Sequence, residues 1–365
     1  MSHEFSESND EISKFQAQIN WYRKNFYSRS RGFELPQIDY IGSFQKPRQD
    51  NNISEPEFFV SIPIKNQDQI IVSIIITLIE NTNYPFALGL LFDNCDDESE
   101  KVCRDFFTFN FDSFKNLSQV HFIRSYGELF ESTCENILLL LCKSPFFVSM
   151  QADIFLTDKT FFDRSLKGFD LVPNLFALSG RAVIRLRDKS RMYRSISRLF
   201  SILRRSVEFL SLKKNLRKLG PYVYGLNYFG DISDPPKSTM NFTVKEFQTI
   251  FLGEAVIRGP IIWRSKILKQ LSGFNDLAHV LGRDECDLCL RAINRGFVVG
   301  YIPSRSYSYK KMGTSRKTRT PEVQLQLFKR EKLGTENPSD LSLLWSGSLQ
   351  MCKSNSVLKK KILLS

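Results

Sequence analysis

From residue 58 onward, hydrophobic and polar positions switch period at regular intervals. Short apolar runs at 58–64, 87–92, 120–124, 146–150 and 171–179 read as strands. Between them, apolar residues recur at helical spacing over 68–81, 98–107, 129–141 and 158–167. Strand–helix alternation at this spacing predicts an α/β fold with a mostly parallel sheet flanked by helices. Order resumes with a strand over 255–263, a short helix over 264–271, a helix over 284–294 stopped by Gly296, and a strand over 297–302. A helix over 9–28 precedes an irregular leader through Pro36, Pro47 and Pro56, and 321–332 predicts a last helix. The expected organisation is a polar, helical leader (1–57), a first half (58–179), a basic helix and loop (180–252), a second half (253–303) and a basic extension (304–365).

The chain has 365 residues, 42% of them hydrophobic, 25% charged and 32 of them Phe, which suits a thick soluble core. Its longest apolar stretch, 70–79, is interrupted by Ser73 and Thr77 and is too short to span a bilayer. The first residues are polar and acidic, unlike a secretory signal. Seven scattered cysteines, an odd number, predict reduced thiols and a cytoplasmic setting; Cys286-x-x-Cys289 has no second pair and reads as core. Thirteen Lys or Arg against two acids fall between Arg181 and Leu219, nearly the whole net charge of +12. The remainder is close to neutral, which argues against nucleic acid as a partner. Met192, Ile196, Leu199, Phe200, Leu203, Val207 and Leu210 recur at helical spacing within that segment. It reads as an amphipathic helix packed on the sheet, or as a peripheral membrane contact through 188–218 at the inner face. Pro and Gly residues over 220–250 predict a long loop, and the tail Lys359-Lys360-Lys361 predicts a solvated end.

Ligands of open α/β sheets bind beyond the carboxyl ends of the strands. Asp153 follows the apolar run 146–150 at such an end, where a carboxylate can hold a divalent cation and through it a diphosphate. Lys65 and Asn66 leave the first strand of the alternation, and Asp93 and Asn94 leave the second. Asp93 can accept a base N–H and Lys65 can meet base or phosphate. Each residue alone is more often a cap or loop residue; their joint placement is what points to a site. Gly282-Arg283-Asp284-Glu285-Cys286-Asp287-Leu288 to Arg291 opens a helix with three carboxylates. Helix-dipole complementarity explains one or two of them.

The ordered set resembles the inverting family-2 glycosyltransferases of GT-A fold, over roughly 58–303. Val60 to Asn66 is similar to their opening strand VSIxIPxxN. Phe92-Asp93-Asn94 with Asp96-Asp97-Glu98-Ser99 resembles the nucleotide segment DDxS, with Phe92 in place of its first acid. Cys134-Glu135-Asn136 is similar to the xxN of the following helix. Gln151-Ala152-Asp153 resembles the DxD metal motif with Gln151 replacing its first acid. Gly259-Pro260, Gly273-Phe274 and Asp284 to Arg291 resemble RGP…GGF…EDxDLxxR, with the two leading acids exchanged.

The resemblance implies a GT-A type nucleotide-binding sheet and a role for each matched residue. Pro63, Lys65, Asn66, Asp93, Asn94 and Gln151 would hold the nucleotide sugar. Asp153 would bind Mn²⁺ or Mg²⁺, and Glu285, with Asp284 beside it, would serve as base toward a glycan or lipid-linked acceptor in surface polysaccharide or glycan synthesis. The QxxRW signature of processive members is absent, which implies single transfer. His279 precedes the acidic helix and reads as a loop or core residue. A non-catalytic nucleotide- or glycan-binding relative is the alternative, and Gln151 and Phe92 favour it. A sugar nucleotidyltransferase is disfavoured, because Lys65-Asn66-Gln67-Asp68 stands where a Gly-rich basic loop belongs. The expectation that organises the rest is convergence of Asp93, Asp153 and Glu285 in one cleft.

Overall fold

A computed structural model describes residues 9–30, 34–46, 56–180, 247–253, 256, 259–277, 284–308, 320–323, 325 and 361–364. Its strands are β1 (Ile38–Gln45), β2 (Phe58–Ile64), β3 (Phe86–Asp93), β4 (Leu117–Ser125), β5 (Phe146–Ser149), β6 (Ile154–Leu156), β7 (Leu175–Ser179), β8 (Thr249–Gly253), β9 (Ile261–Arg264), β10 (Val298–Tyr301), β11 (Ser306–Ser308) and β12 (Lys361–Leu363). The helices are α1 (Asn9–Arg29), α2 (Ile71–Glu80), α3 (Ser99–Asn110), α4 (Glu131–Leu141), α5 (Phe161–Leu171), α6 (Ser265–Gln270) and α7 (Asp284–Ile293).

Ten strands form one sheet in the order β1-β4-β3-β2-β5-β9-β7-β10-β8-β12. β4, β3, β2 and β5 make a contiguous parallel block. The pairings make β7, β10 and β12 run the same way as that block, whereas β1, β8 and β9 oppose it. β6 and β11 form a separate antiparallel pair.

Both faces of the sheet are covered. Alternation in β2 sends Phe58, Val60, Ile62 and Ile64 to one face, where α2, α3 and α5 pack, and Phe59 to the other, under α1, α4, α6 and α7. The spacing of its buried residues makes α2 helical. Ile71, Ile74, Ile75, Leu78 and Ile79 share one stripe, and their burial overrides the weak helix propensity of β-branched side chains.

Several elements differ from the sequence reading. The leader contains β1, an edge strand on β4 with a register shift between Tyr40 and Gly42. β6, β8 and β11 are three to five residues long, too short for a periodic signal. The strand expected over 255–263 is the shorter β9; Gly259 and Pro260 lie in a bend before it, as the missing proline N–H requires. The end of the chain adds β12, which pairs with β8, and Leu364 after it is buried; Lys359 and Lys360 lie outside the described residues. The expected basic helix, the segment 188–218, His279 and most of the loop over 220–250 lie outside the described residues, as does most of the expected helix over 321–332. Among the described residues no helix is long and apolar enough to cross a membrane.

Beneath α1, His121 of β4 is buried and within 2.7 Å of the Tyr40 hydroxyl. Glu11 of α1 accepts from Tyr40 and Ser43. Burial, with Lys143 adding to it, pulls the imidazole down from 6.5 to about 3. The unfolded chain therefore binds the extra proton first as pH falls. This contribution to stability is complete above pH 6.5 and is lost progressively down to about 3. Between pH 6.5 and 5 the loss is about 2 kcal/mol. Urea midpoints should fall over that window for the native chain, and His121→Gln should remove most of the slope.

Candidate active site at the carboxyl edge of the sheet

The connection β2-α2-β3-α3-β4 moves outward from β2 on one side, and the chain then returns through α4 to place β5 on the other side. The junction of β2 and β5 is therefore a switch point of the kind at which α/β sheets bind ligands. The register adds a notch. Ser149, the last residue of β5, lies opposite Ser61, whereas β2 continues to Ile64. The Met150 N–H still bonds to the Ser61 carbonyl at 3.0 Å, and the chain then turns through Gln151, Ala152 and Asp153. β9 begins at the same level, with Ile261 opposite both Ser149 and Ser179.

Lys65 and Asn66 leave β2 beside the notch. Lys65 Nζ donates to the Asn94 carbonyl and lies 2.9 Å from Glu128 Oε1. Its 3.9 Å approach to the solvent-facing Asp96 adds little. Asn66 and Asn94 both adopt left-handed backbone, with φ of 52° and 49°, a region that asparagine tolerates. Asn66 Oδ1 accepts from the Asp96 N–H, and the Asn94 N–H donates to Ser125 Oγ. These bonds fix the exits of β2, β3 and β4 relative to one another. Pro63 stays within β2, opposite Leu91.

Asp93 ends β3 and is buried. Its Oδ1 accepts from the Leu129 N–H at 2.7 Å and its Oδ2 from the Phe130 N–H at 3.2 Å. The negative charge thus sits at the start of α4, where the helix dipole favours it, and holds Phe130 at φ 66°. Both of its oxygens serve the β4–α4 turn. On the other side of β2, Gln151 Nε2 donates to Glu131 Oε1 on the first turn of α4 at 3.1 Å. Asp153 is half-buried in the turn before β6. Glu128 and Glu131 carried no signal in the sequence, because each acquires its neighbour only through the fold.

α7 leads into β10 and packs on it, so it runs back along the sheet with its first residues at the carboxyl edge. Asp284 is completely buried and Glu285 retains 7% exposure. Three strand spacings separate β5 from β10, about 14 Å along the edge. Asp287 and Arg291 are ion-paired at 2.8 Å. The Arg291 guanidinium donates to the carbonyls of Leu271 and Gly273. The last acid and the arginine of this motif therefore build the scaffold. Asn136 clamps the same turn, accepting from the Phe274 N–H at 2.8 Å and donating to its carbonyl at 2.9 Å. Asp93, Asp153 and Glu285 thus share one edge of the sheet, with Asp93 turned into the β4–α4 loop.

Gly273 has φ +70°, and a Cβ there would run into the Asn136 carboxamide. Gly296 has φ +84° with open space around it. Gly296→Ala should cost about 1 kcal/mol for backbone strain alone, and Gly273→Ala about 2–3 kcal/mol or more. Equal shifts in urea midpoint would mean that the clamp contributes nothing.

Among the described residues no group of three or more His, Cys, Asp or Glu forms a ready metal centre. Asp153, with the Gln151 carboxamide two residues before it, fits a hard divalent cation only as a shared site. Phosphate oxygens and water would complete the coordination of such a cation, as is usual for Mg²⁺.

No protein-family model matches the sequence, and no curated protein matches it by sequence. Among solved structures, TarS 1-349 of S. aureus is 11% identical with a TM-score of 0.41. That match covers 67% of this chain and 58% of that one, so the chain spans less than two thirds of its length. The mannosyltransferase PcManGT from Pyrobaculum calidifontis, in complex with GDP-Man and Mn²⁺, is 13% identical with a TM-score of 0.44, covering 95% of this chain and 86% of that one. TarS 1-349 in complex with UDP-GlcNAc is 12% identical with a TM-score of 0.44, covering 72% and 61%.

Proposed function

We propose that the chain is a glycosyltransferase that moves a sugar from a nucleotide diphosphate to a hydroxyl acceptor with inversion. The observation that supports this most is the notch at the β2–β5 switch point, with the half-buried Asp153 on one side and the acidic start of α7 along the same edge. Asp153, helped by Gln151, would hold Mn²⁺ or Mg²⁺ shared with the diphosphate. The cation, when bound, neutralises charge on the departing nucleotide. Lys65 and Asn94 would flank the nucleoside. Glu285, less buried than Asp284, would take the proton of the acceptor hydroxyl as its oxygen bonds to the anomeric carbon. The bond from that carbon to the phosphate oxygen breaks on the opposite side, and the nucleoside diphosphate leaves.

A glycan or lipid-linked acceptor and a role in surface polysaccharide assembly belong to the same reading. A second reading, nucleotide or glycan binding without transfer, is favoured by the engagement of both Asp93 oxygens in the β4–α4 turn. UDP-GlcNAc and GDP-Man are suitable first donors. Release of UDP or GDP that depends on Mn²⁺ supports transfer; binding without release supports the second reading.

A further inference from the structure

The first helix reaches the catalytic half through one buried carboxylate. The Tyr22 hydroxyl of α1 donates to Asp276 Oδ2, and Asn136 Nδ2 of α4 donates to the same oxygen at 3.2 Å. Asp276 is completely buried, where a carboxylate needs hydrogen-bond donors such as these. Asn136 also pairs with both backbone groups of Phe274. From the far side, Arg291 of α7 holds the carbonyls of Leu271 and Gly273. The turn 271–276 is therefore gripped by α1 and α4 on one side and by α7 on the other. Arg291 is also ion-paired at 2.8 Å to Asp287, two residues after Glu285, so a shift of this turn is passed through Arg291 to the first turn of α7.

We propose that Tyr22 is a positioning residue for Glu285, acting through Asp276, and that α1 is a working part of the transfer site. This rests on the glycosyltransferase reading above. Misplacement of a reacting group by about 1 Å can cost up to a hundredfold in rate. The test is Tyr22→Phe in the full chain, followed by hydrogen exchange and by UDP or GDP release from UDP-GlcNAc or GDP-Man with Mn²⁺. Exchange at 274–277 and 284–288 should rise about tenfold or more, with β2 and β3 unchanged. The turnover number should fall about tenfold, with donor KM within about twofold. Asp276→Asn, which keeps an oxygen to accept from Tyr22, should retain the exchange protection. Unchanged exchange at 284–288, loss of protection in Asp276→Asn equal to that in Tyr22→Phe, or a donor KM effect with turnover preserved would overturn the proposal. If the native chain releases no nucleotide from either donor, the glycosyltransferase reading fails for those donors. The exchange result then decides by itself whether Tyr22 holds the start of α7.

Discussion

Glu285→Gln is expected to lower nucleoside diphosphate release about 10²- to 10⁴-fold, the usual contribution of a positioned general base. Donor affinity should stay within about twofold, because the change removes a basic oxygen with little change in volume and leaves the notch at β5 intact. Water can replace the acceptor in this assay, since its proton needs the same base. Burial supports the choice of Glu285: Asp284 is completely buried and Asp287 is committed to Arg291. Near-normal turnover in Glu285→Gln would move the role to Asp284 or away from α7.

Asp153→Ala should remove the metal dependence of nucleotide binding. In the native chain Mn²⁺ and UDP or GDP should each raise the affinity of the other by the same factor, about 5- to 150-fold. A single carboxylate, Asp153, leaves most of the coordination to phosphate and water, so Mn²⁺ binding without nucleotide should be weak. Calorimetry of Asp153→Ala should give one nucleotide affinity with and without Mn²⁺. Retained coupling would place the cation elsewhere.

The alternation of strands and helices from β2 to α5 was legible because each element carries a clean period. The stripe in α2 and the continuous apolar run of β3 are examples. β8 and the edge strand β12 were not, since they are held by strand pairing, β8 between β10 and β12, rather than by pattern. β1 was hidden by the prolines on either side of it. The candidate site was legible only as a set of strand exits, because a parallel block aligns them whatever their separation in sequence. What each exit residue touches was not. Lys65 meets Glu128, and Gln151 meets Glu131, through loop geometry that no spacing encodes. Asp93, read as a base acceptor, also accepts from the Leu129 and Phe130 N–H groups, a contact that the spacing did not reveal. Asn136 and Gly273-Phe274 stood out only as motif letters, and their contact explains why both are needed.

The most direct test of the shared edge is the anomalous scattering of manganese in crystals of the full chain soaked with UDP and Mn²⁺. The account predicts one peak within bonding distance of the Asp153 carboxylate, about 2.0–2.3 Å. The diphosphate should lie in the β2–β5 notch, with its terminal phosphate toward the start of α7. Nucleotide bound elsewhere, or Glu285 facing away from it, would contradict the account.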